Sequence, residues 1–363
     1  MKRLLIAAAL IGLAPCSRAS EAHNGFNMPC WWQDCYSSAG TGESIKRMAQ
    51  TGAGWVALTP TWYQDGDTAS VMKADQRTPT DDSLRAAIRN AKAAGLKVAI
   101  KPHVDTESGH PRALIHAKDA KAWFTAYDAM LTHYARLAAD ERADMLVVGT
   151  ELFLMDGLIH RGAWLKVIAD ARAVYPGPLA YAANWYDFSR VAFWDKVDFI
   201  GIDGYFPIIN GHHKWAMKLE WLAYEPLVAA VAAVHGKPVI FTEFGLSSQK
   251  GANLKPWEWK DFGPLDLEVQ KNYFESFLEV FGGKSWFAGL WQWGWEVNPD
   301  AGGPSDKTMT VQGKPALESL KAYFAKAKAA PSRGLSAKQK STLELSVKQA
   351  LVPLNESPAF VRP

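Results

Sequence analysis

The sequence is poor in the features that mark several protein classes. It has 3 cysteines in 363 residues, too few for a fold held by a disulfide framework and without the spacing of a zinc site. Positive charge is not in excess: 40 Lys and Arg stand against 37 Asp and Glu, a formal +3. No broad basic surface is available to wrap a phosphate backbone, so nucleic acid is not an expected partner. No later stretch reaches the ~18 uninterrupted apolar residues of a membrane helix, and no span is expected. A glycine-rich phosphate loop after the first apolar run is missing too, as is any visible internal repeat.

Aromatic residues are what the chain has in quantity: 16 Trp, 11 Tyr and 16 Phe. They suit either a large core or a cleft for ligands with flat apolar faces and polar rims, a description that fits sugars. With 48% hydrophobic and 21% charged residues the balance is that of a globular protein. The length suits two compact domains or one large α/β barrel.

The first 22 residues read as a leader rather than as fold. Lys2 and Arg3 precede the apolar run Leu4 to Ala14, and small residues follow, with Ser17 and Ala19 or Ser20 and Ala22 suiting a peptidase. The protein is thus expected to be exported, to the periplasm or outside the cell. Leu13-Ala14-Pro15-Cys16 is similar to a bacterial lipoprotein box, with Pro15 where a small residue belongs, so a lipid anchor at Cys16 stays open beside plain cleavage. Cys30 and Cys35 then either bridge or remain two buried thiols.

Eight short apolar runs recur along the chain: Gly25–Trp31, Trp55–Trp62, Lys97–Val104, Met145–Leu152, Leu179–Trp185, Asp198–Tyr205, Lys237–Phe244 and Phe287–Trp293. They lack strict alternation, as strands covered on both faces do. Helical patterns lie between most of them. Asp81 or Asp82 is placed to cap one whose Leu84, Ile88 and Ala91 share a face and which Gly95 ends. Trp123, Tyr127, Met130, Tyr134 and Leu137 mark another, and Val269, Tyr273 and Phe277 a later one. The alternation predicts a single-domain (β/α)8 barrel over residues 23–324, with a doubly wound sheet as the alternative. From 325 to 363 the chain turns rich in Lys, Ala, Ser and Pro and is expected to be a loosely held tail, in which Leu343 to Leu351 is the stretch able to dock.

In a barrel the chemistry sits where strands end. Glu151 closes Leu146-Val147-Val148-Gly149-Thr150-Glu151, the end of the fourth run, and Glu243 lies at the end of the seventh. A charge directly after an apolar strand is expensive to desolvate unless function or a partner requires it. One such glutamate would be read as an ion-pair partner across the barrel mouth. Two, at strands four and seven of one barrel, point to catalysis.

These glutamates resemble those of clan GH-A glycoside hydrolases, and the wider pattern is most like glycoside hydrolase family 113, known for endo-β-1,4-mannanases. The segments that carry the resemblance are Leu58-Thr59-Pro60-Thr61-Trp62-Tyr63-Gln64, Ile100-Lys101-Pro102-His103-Val104-Asp105, Val148-Gly149-Thr150-Glu151, Tyr181-Ala182-Ala183-Asn184-Trp185, Ile200-Gly201-Ile202-Asp203-Gly204-Tyr205, Phe241-Thr242-Glu243-Phe244-Gly245 and Trp291-Gln292-Trp293. They run from about Gly42 to Phe324. Many clan members carry Asn before the acid/base; Thr150 here is like family 113.

The resemblance implies a retaining glycoside hydrolase acting on a β-mannan-type polysaccharide, with Glu151 as acid/base and Glu243 as nucleophile. Cleaving an acetal through an oxocarbenium-like state needs a proton for the leaving oxygen and electron density at the anomeric carbon, which is why two carboxyl groups are required. Glu151 must stay protonated and Glu243 ionised, so their surroundings should push them apart. Tyr205, ending strand six, is the candidate donor to Glu243. Trp293 or Trp291 is placed to floor the sugar at the cleavage point, Trp62, Tyr63 and Trp185 to line neighbouring sugars, and Lys101, His103 and Asn184 to bond hydroxyls. Each has packing as its other reading. Adjacent His212 and His213 diverge too much to share a metal, and no metal or organic cofactor is implied. The alternatives are the same machinery on another β-glycan or on short oligosaccharides, and a barrel that binds carbohydrate without cleaving it.

Overall fold

Each of the eight apolar runs contributes a strand to one closed parallel barrel. The computed structural model describes residues 22–329. Residues 1–21, with most of the expected leader and Cys16, and residues 330–363, most of the expected tail with Leu343 to Leu351, lie outside the described residues.

The elements in chain order are β1 (Gly25–Pro29), α1 (Thr41–Gln50), β2 (Trp55–Thr59), β3 (Thr61–Gln64), α2 (Asp81–Ala93), β4 (Lys97–Ile100) and β5 (His103–Thr106). Then come α3 (Ala120–Asp140), β6 (Met145–Thr150), α4 (Arg161–Val174), β7 (Leu179–Asn184) and β8 (Phe199–Asp203). The last described elements are α5 (Lys214–His235), β9 (Val239–Phe244), α6 (Leu267–Phe281), β10 (Phe287–Gln292) and α7 (Pro315–Ala329). The barrel order is β1-β10-β9-β8-β7-β6-β4-β2, closed by pairing of Gly25 with Trp291 on one side and Trp55 on the other. Between β7 and β8 the described connection has only a short 3-10 turn, Trp194–Lys196, instead of a helix.

Proline divides two of the runs. Pro60 and Pro102 lack the N–H that a strand interior needs, so the second and third runs break there. Their continuations pair with each other as a separate parallel sheet, β3 with β5, in which Tyr63 faces Asp105. Helix α2 differs from expectation at its start: Thr80, not Asp81 or Asp82, is the N-cap, its hydroxyl accepting the Ser83 N–H at 3.2 Å. Asp81 and Asp82 occupy the first turn instead, where negative charge suits the helix dipole.

Two layers of core result. Inside the barrel, Trp55, Ala57, Ala99, Met145, Val147, Ala180, Ala182, Ile240 and Trp291 fill the lower lumen. Outside, the strands pack on the helices through a larger cluster that includes Trp123, Trp164, Trp221 and Phe277. Helix α7 runs five residues past Phe324, which is buried edge-on to Phe26 of β1. Cys30 and Cys35 are joined as a disulfide just after β1. Among the described residues no helix is long and apolar enough to cross a membrane. The filled lower lumen leaves the C-terminal strand ends as the place where polar side chains converge.

Candidate active site

Glu243 lies on β9 near its end, and Asp203 ends β8 as its register partner. Both side chains point into a site that is almost closed to solvent: Asp203 is fully buried and Glu243 nearly so. Lys101, just past β4 and also fully buried, donates to Glu243 Oε1 and reaches Asp203 Oδ2 at 3.3 Å. Tyr205 donates its hydroxyl to Glu243 Oε2 at 2.7 Å. Each oxygen of Glu243 therefore has its own donor, an arrangement that fixes the orientation of the carboxyl group.

Asp203 is held differently. Its Oδ1 accepts the Thr242 hydroxyl at 2.8 Å. Burial, and then the Glu243 charge, push its pKa well above the usual carboxylate range. His103 completes the cluster, its Nε2 3.2 Å from Lys101 Nζ. Burial first, and then the positive charges of Arg112 and Lys101, hold its pKa well below the ordinary value. The ring is neutral, so Nε2 accepts from the ammonium and the proton stands on Nδ1.

Glu151 follows β6 in a left-handed backbone conformation, φ 54°, which side-chain-bearing residues adopt rarely and which is found at functional sites held by their surroundings. Its N–H is anchored on Ala182 O at 2.8 Å. The side chain is 19% exposed and Oε2 accepts from Arg112 Nη1 at 3.2 Å. Arg112 is itself fixed by Asp105 Oδ1, at 2.7 Å from Nη2 and 3.0 Å from Nε. Burial and then the Glu243 charge raise the Glu151 pKa to about 7, against the opposing pull of Arg112 and Lys101. One carboxyl group is biased toward its acid form while the other is surrounded by donors.

The remaining sequence candidates divide. Trp293 stays half-buried beyond β10, its ring parallel to His103 at 6.0 Å between centroids. Trp185, half-buried beside the end of β7, lies parallel to the exposed Trp257 at 5.9 Å. Trp62 is half-buried and gives its indole N–H to Tyr134 of α3 at 3.0 Å, which leaves the ring itself uncommitted. Asn184 is buried, and its Nδ2 has no hydrogen-bond partner among the described residues.

Three expectations change, those for Trp291, Lys101 and Tyr63. Trp291 cannot floor a sugar: it is fully buried in the lower lumen, stacked on Trp55 at 6.2 Å. Lys101 does not reach toward sugar hydroxyls, because its ammonium is used by Glu243, Asp203 and His103. Tyr63 is buried with the Arg77 guanidinium 3.6 Å over its ring.

Two members of the site had no role in the sequence reading. Asp203 shows the same signal as the glutamates, a charge closing the apolar run Phe199-Ile200-Gly201-Ile202. Arg112 sits in a short turn after β5, in a segment with no local pattern to single it out. Among the described residues no group of three or more His, Cys, Asp or Glu is arranged to hold a metal ion.

A family model described as Glycoside Hydrolase Family 113 matches residues 30–314. Among solved structures, a GH113 β-mannanase from Alicyclobacillus acidocaldarius in complex with ManMIm is 25% identical, with a TM-score of 0.79, covering 86% of this chain and 100% of that one. A GH113 β-1,4-mannanase is 28% identical with a TM-score of 0.77, covering 84% and 99%. A β-glucuronidase from Ruminococcus gnavus, 14% identical with a TM-score of 0.56 over 84% of this chain and 50% of that one, shares the fold alone. Among curated proteins none matches.

Proposed function

Because the chain belongs to glycoside hydrolase family 113, we propose that it cleaves β-1,4-linked mannan chains by double displacement, with Glu243 as nucleophile and Glu151 as acid and base. The observation that carries this reading is the opposite treatment of the two carboxyl groups, one given a donor on each oxygen and one raised toward neutrality. The two GH113 structures, both of β-mannanases, support the choice of substrate.

In the first step a Glu243 oxygen bonds to the anomeric carbon as the glycosidic C–O bond breaks, and the Glu151 proton goes to the leaving oxygen. Tyr205 and Lys101 keep the attacking carboxylate oriented. Forming the ester removes the Glu243 charge, which is one of the causes that raise Glu151. Glu151, now ionised, becomes a better anion and takes a proton from water as that water attacks the same carbon. The bond to Glu243 then breaks and both carboxyl groups return to their starting states. Trp293, parallel to His103 beside this cluster, supports the role of floor under the sugar that reacts.

The first product anomer decides the mechanism. Proton NMR taken immediately after cleavage of a mannan oligosaccharide is expected to show the β anomer before mutarotation; an α anomer would mean inversion and remove Glu243 as nucleophile. A panel of mannan, glucomannan, xylan and β-glucan scored for new reducing ends tests the substrate.

The pH dependence follows from Glu151. Its pKa lies above the ordinary carboxyl value, at about 7, so the acid form is present below that pH and lost above it. Polymer cleavage should therefore fall as pH rises through about 7. With Glu151→Ala this alkaline limb should disappear on aryl glycosides, whose leaving groups need little protonation. A limb that persists in the variant would assign it to another group.

Export belongs to the same proposal, and the Cys30–Cys35 disulfide supports an oxidising compartment. A lipid anchor at Cys16 remains a proposal about how the exported enzyme is retained.

A further inference from the structure

Strand β1 delivers the chain straight into Cys30-Trp31-Trp32-Gln33-Asp34-Cys35. Trp31 and Trp32 are each 45% exposed, while the two cysteines that close the loop are fully buried. Neither indole pairs with another ring among the described residues. The exposure is not that of a loose segment. Gln33 O accepts from Thr80 N at 2.9 Å, and Tyr36 donates to Met28 O at 2.6 Å and accepts from Thr59 N at 2.9 Å. Single exposed hydrophobic residues need no explanation. Two adjacent indoles held out on a cross-linked and hydrogen-bonded loop do.

Their position says what they face. Pro29, two residues before Trp31, lies against Gly294: a Cβ on that glycine would stand 3.3 Å from the proline ring. Gly294 follows Trp293, which is parallel to His103, which in turn meets Lys101 beside Glu243. The loop thus begins at the rim of the site. In the barrel order, β1 is four strands from β7 in either direction, so it stands directly across the mouth from the Trp185–Trp257 pair. The carboxyl groups of Glu151 and Glu243, on strands between these two sides, lie on the path that joins them.

We propose that Trp31 and Trp32 form a sugar-binding platform at the β1 edge of the cleft, taking pyranose rings of the substrate chain beyond the sugar at the cleavage point. A pyranose shows a face of C–H groups and an edge of hydroxyls, so it stacks on an indole and keeps its polar edge in water. This inference rests on the glycan-cleaving reading above. A linear chain crossing the mouth meets an aromatic support on each side, and the loop matters only for substrates long enough to reach it.

The test compares long and short substrates in Trp31→Ala, Trp32→Ala and the double variant. On high-molecular-mass mannan the double variant should raise KM about tenfold with little change in kcat, as expected from losing two ring contacts. On a short aryl mannoside its kcat/KM should match that of the unmodified enzyme. Trp→Tyr at each position should restore most of the polymer KM, which a merely structural loss would not allow. An unchanged KM on polymer, or an equal loss on polymer and aryl mannoside, overturns the platform. Retardation of the double variant in native gels cast with mannan, relative to the unmodified enzyme, reads binding without turnover; equal retardation also overturns it. If the unmodified enzyme neither cleaves nor is retarded by any mannan, the proposed function fails first, and that result is distinct from a failure confined to the two Trp variants.

Discussion

Glu243→Gln is expected to abolish steady polymer cleavage, lowering kcat by roughly four orders of magnitude or more, in the range seen when a nucleophile is removed. The amide is close in size to the carboxylate and makes a poor nucleophile, so no glycosyl ester forms. Its surroundings accept the exchange. Lys101 still finds the amide oxygen and Asp203 Oδ2, and the Tyr205 hydroxyl is able to turn and accept from the amide nitrogen in place of donating. Folding and glycan affinity should therefore survive, read as a melting temperature near that of the unmodified enzyme and as retained retardation in mannan-containing gels. Hydrolysis of polymer at a near-normal rate by this variant would remove double displacement through Glu243.

Most of the architecture was legible because strands and helix faces are written locally. Apolar runs such as Val239 to Phe244 and faces such as Val269, Tyr273 and Phe277 need no knowledge of the rest of the chain. Depth within the barrel is not local. Trp291 and Trp293 are two residues apart and indistinguishable by period, yet one fills the lower lumen and the other reaches the rim. Lys101 looked available for sugar hydroxyls because its strand ends near the mouth. That two carboxylates would need its charge depends on β4, β8 and β9 converging, and no short segment records this. The breaks at Pro60 and Pro102 were readable in principle, since proline rarely sits inside a central strand. The pairing of β3 with β5 that followed was not, because it joins segments about 40 residues apart. The Arg112 contact with Glu151 is of the same kind, made by a turn whose sequence carries no signal.

Lys101→Met should be the most damaging single change away from the two glutamates, and its effect should be on stability as well as on rate. The ammonium is fully buried and is the cation between Glu243 and Asp203, which are register partners on adjacent strands. Without it two carboxyl groups face each other where water does not screen them. Breaking a buried pair in this way typically costs about 3–5 kcal/mol, mostly from the charge left behind. For a chain of this size that corresponds to a melting temperature roughly 4–8 °C lower.

The variant relieves the strain by protonating a carboxyl group, and Asp203, already raised by burial and by Glu243, is the one closest to doing so. A carboxyl group whose folded pKa lies above its unfolded value binds its proton more tightly in the fold. The protonated pair is therefore tolerated at acid pH, and stability falls as pH rises through the unfolded value toward the folded one. The deficit of Lys101→Met should be smallest at and below the unfolded value of 3.8 and grow from there toward neutrality, by the linkage between proton binding and folding. Adding Asp203→Asn removes one of the two charges and should recover a large part of the melting temperature. It should not recover activity, because Glu243 would still lack the ammonium that orients one of its oxygens. Melting curves of the single and double variants at acid and neutral pH decide the matter. A Lys101→Met enzyme that melts with the unmodified one at neutral pH, or a double variant no more stable than the single, would show that the ammonium does not hold this cluster together.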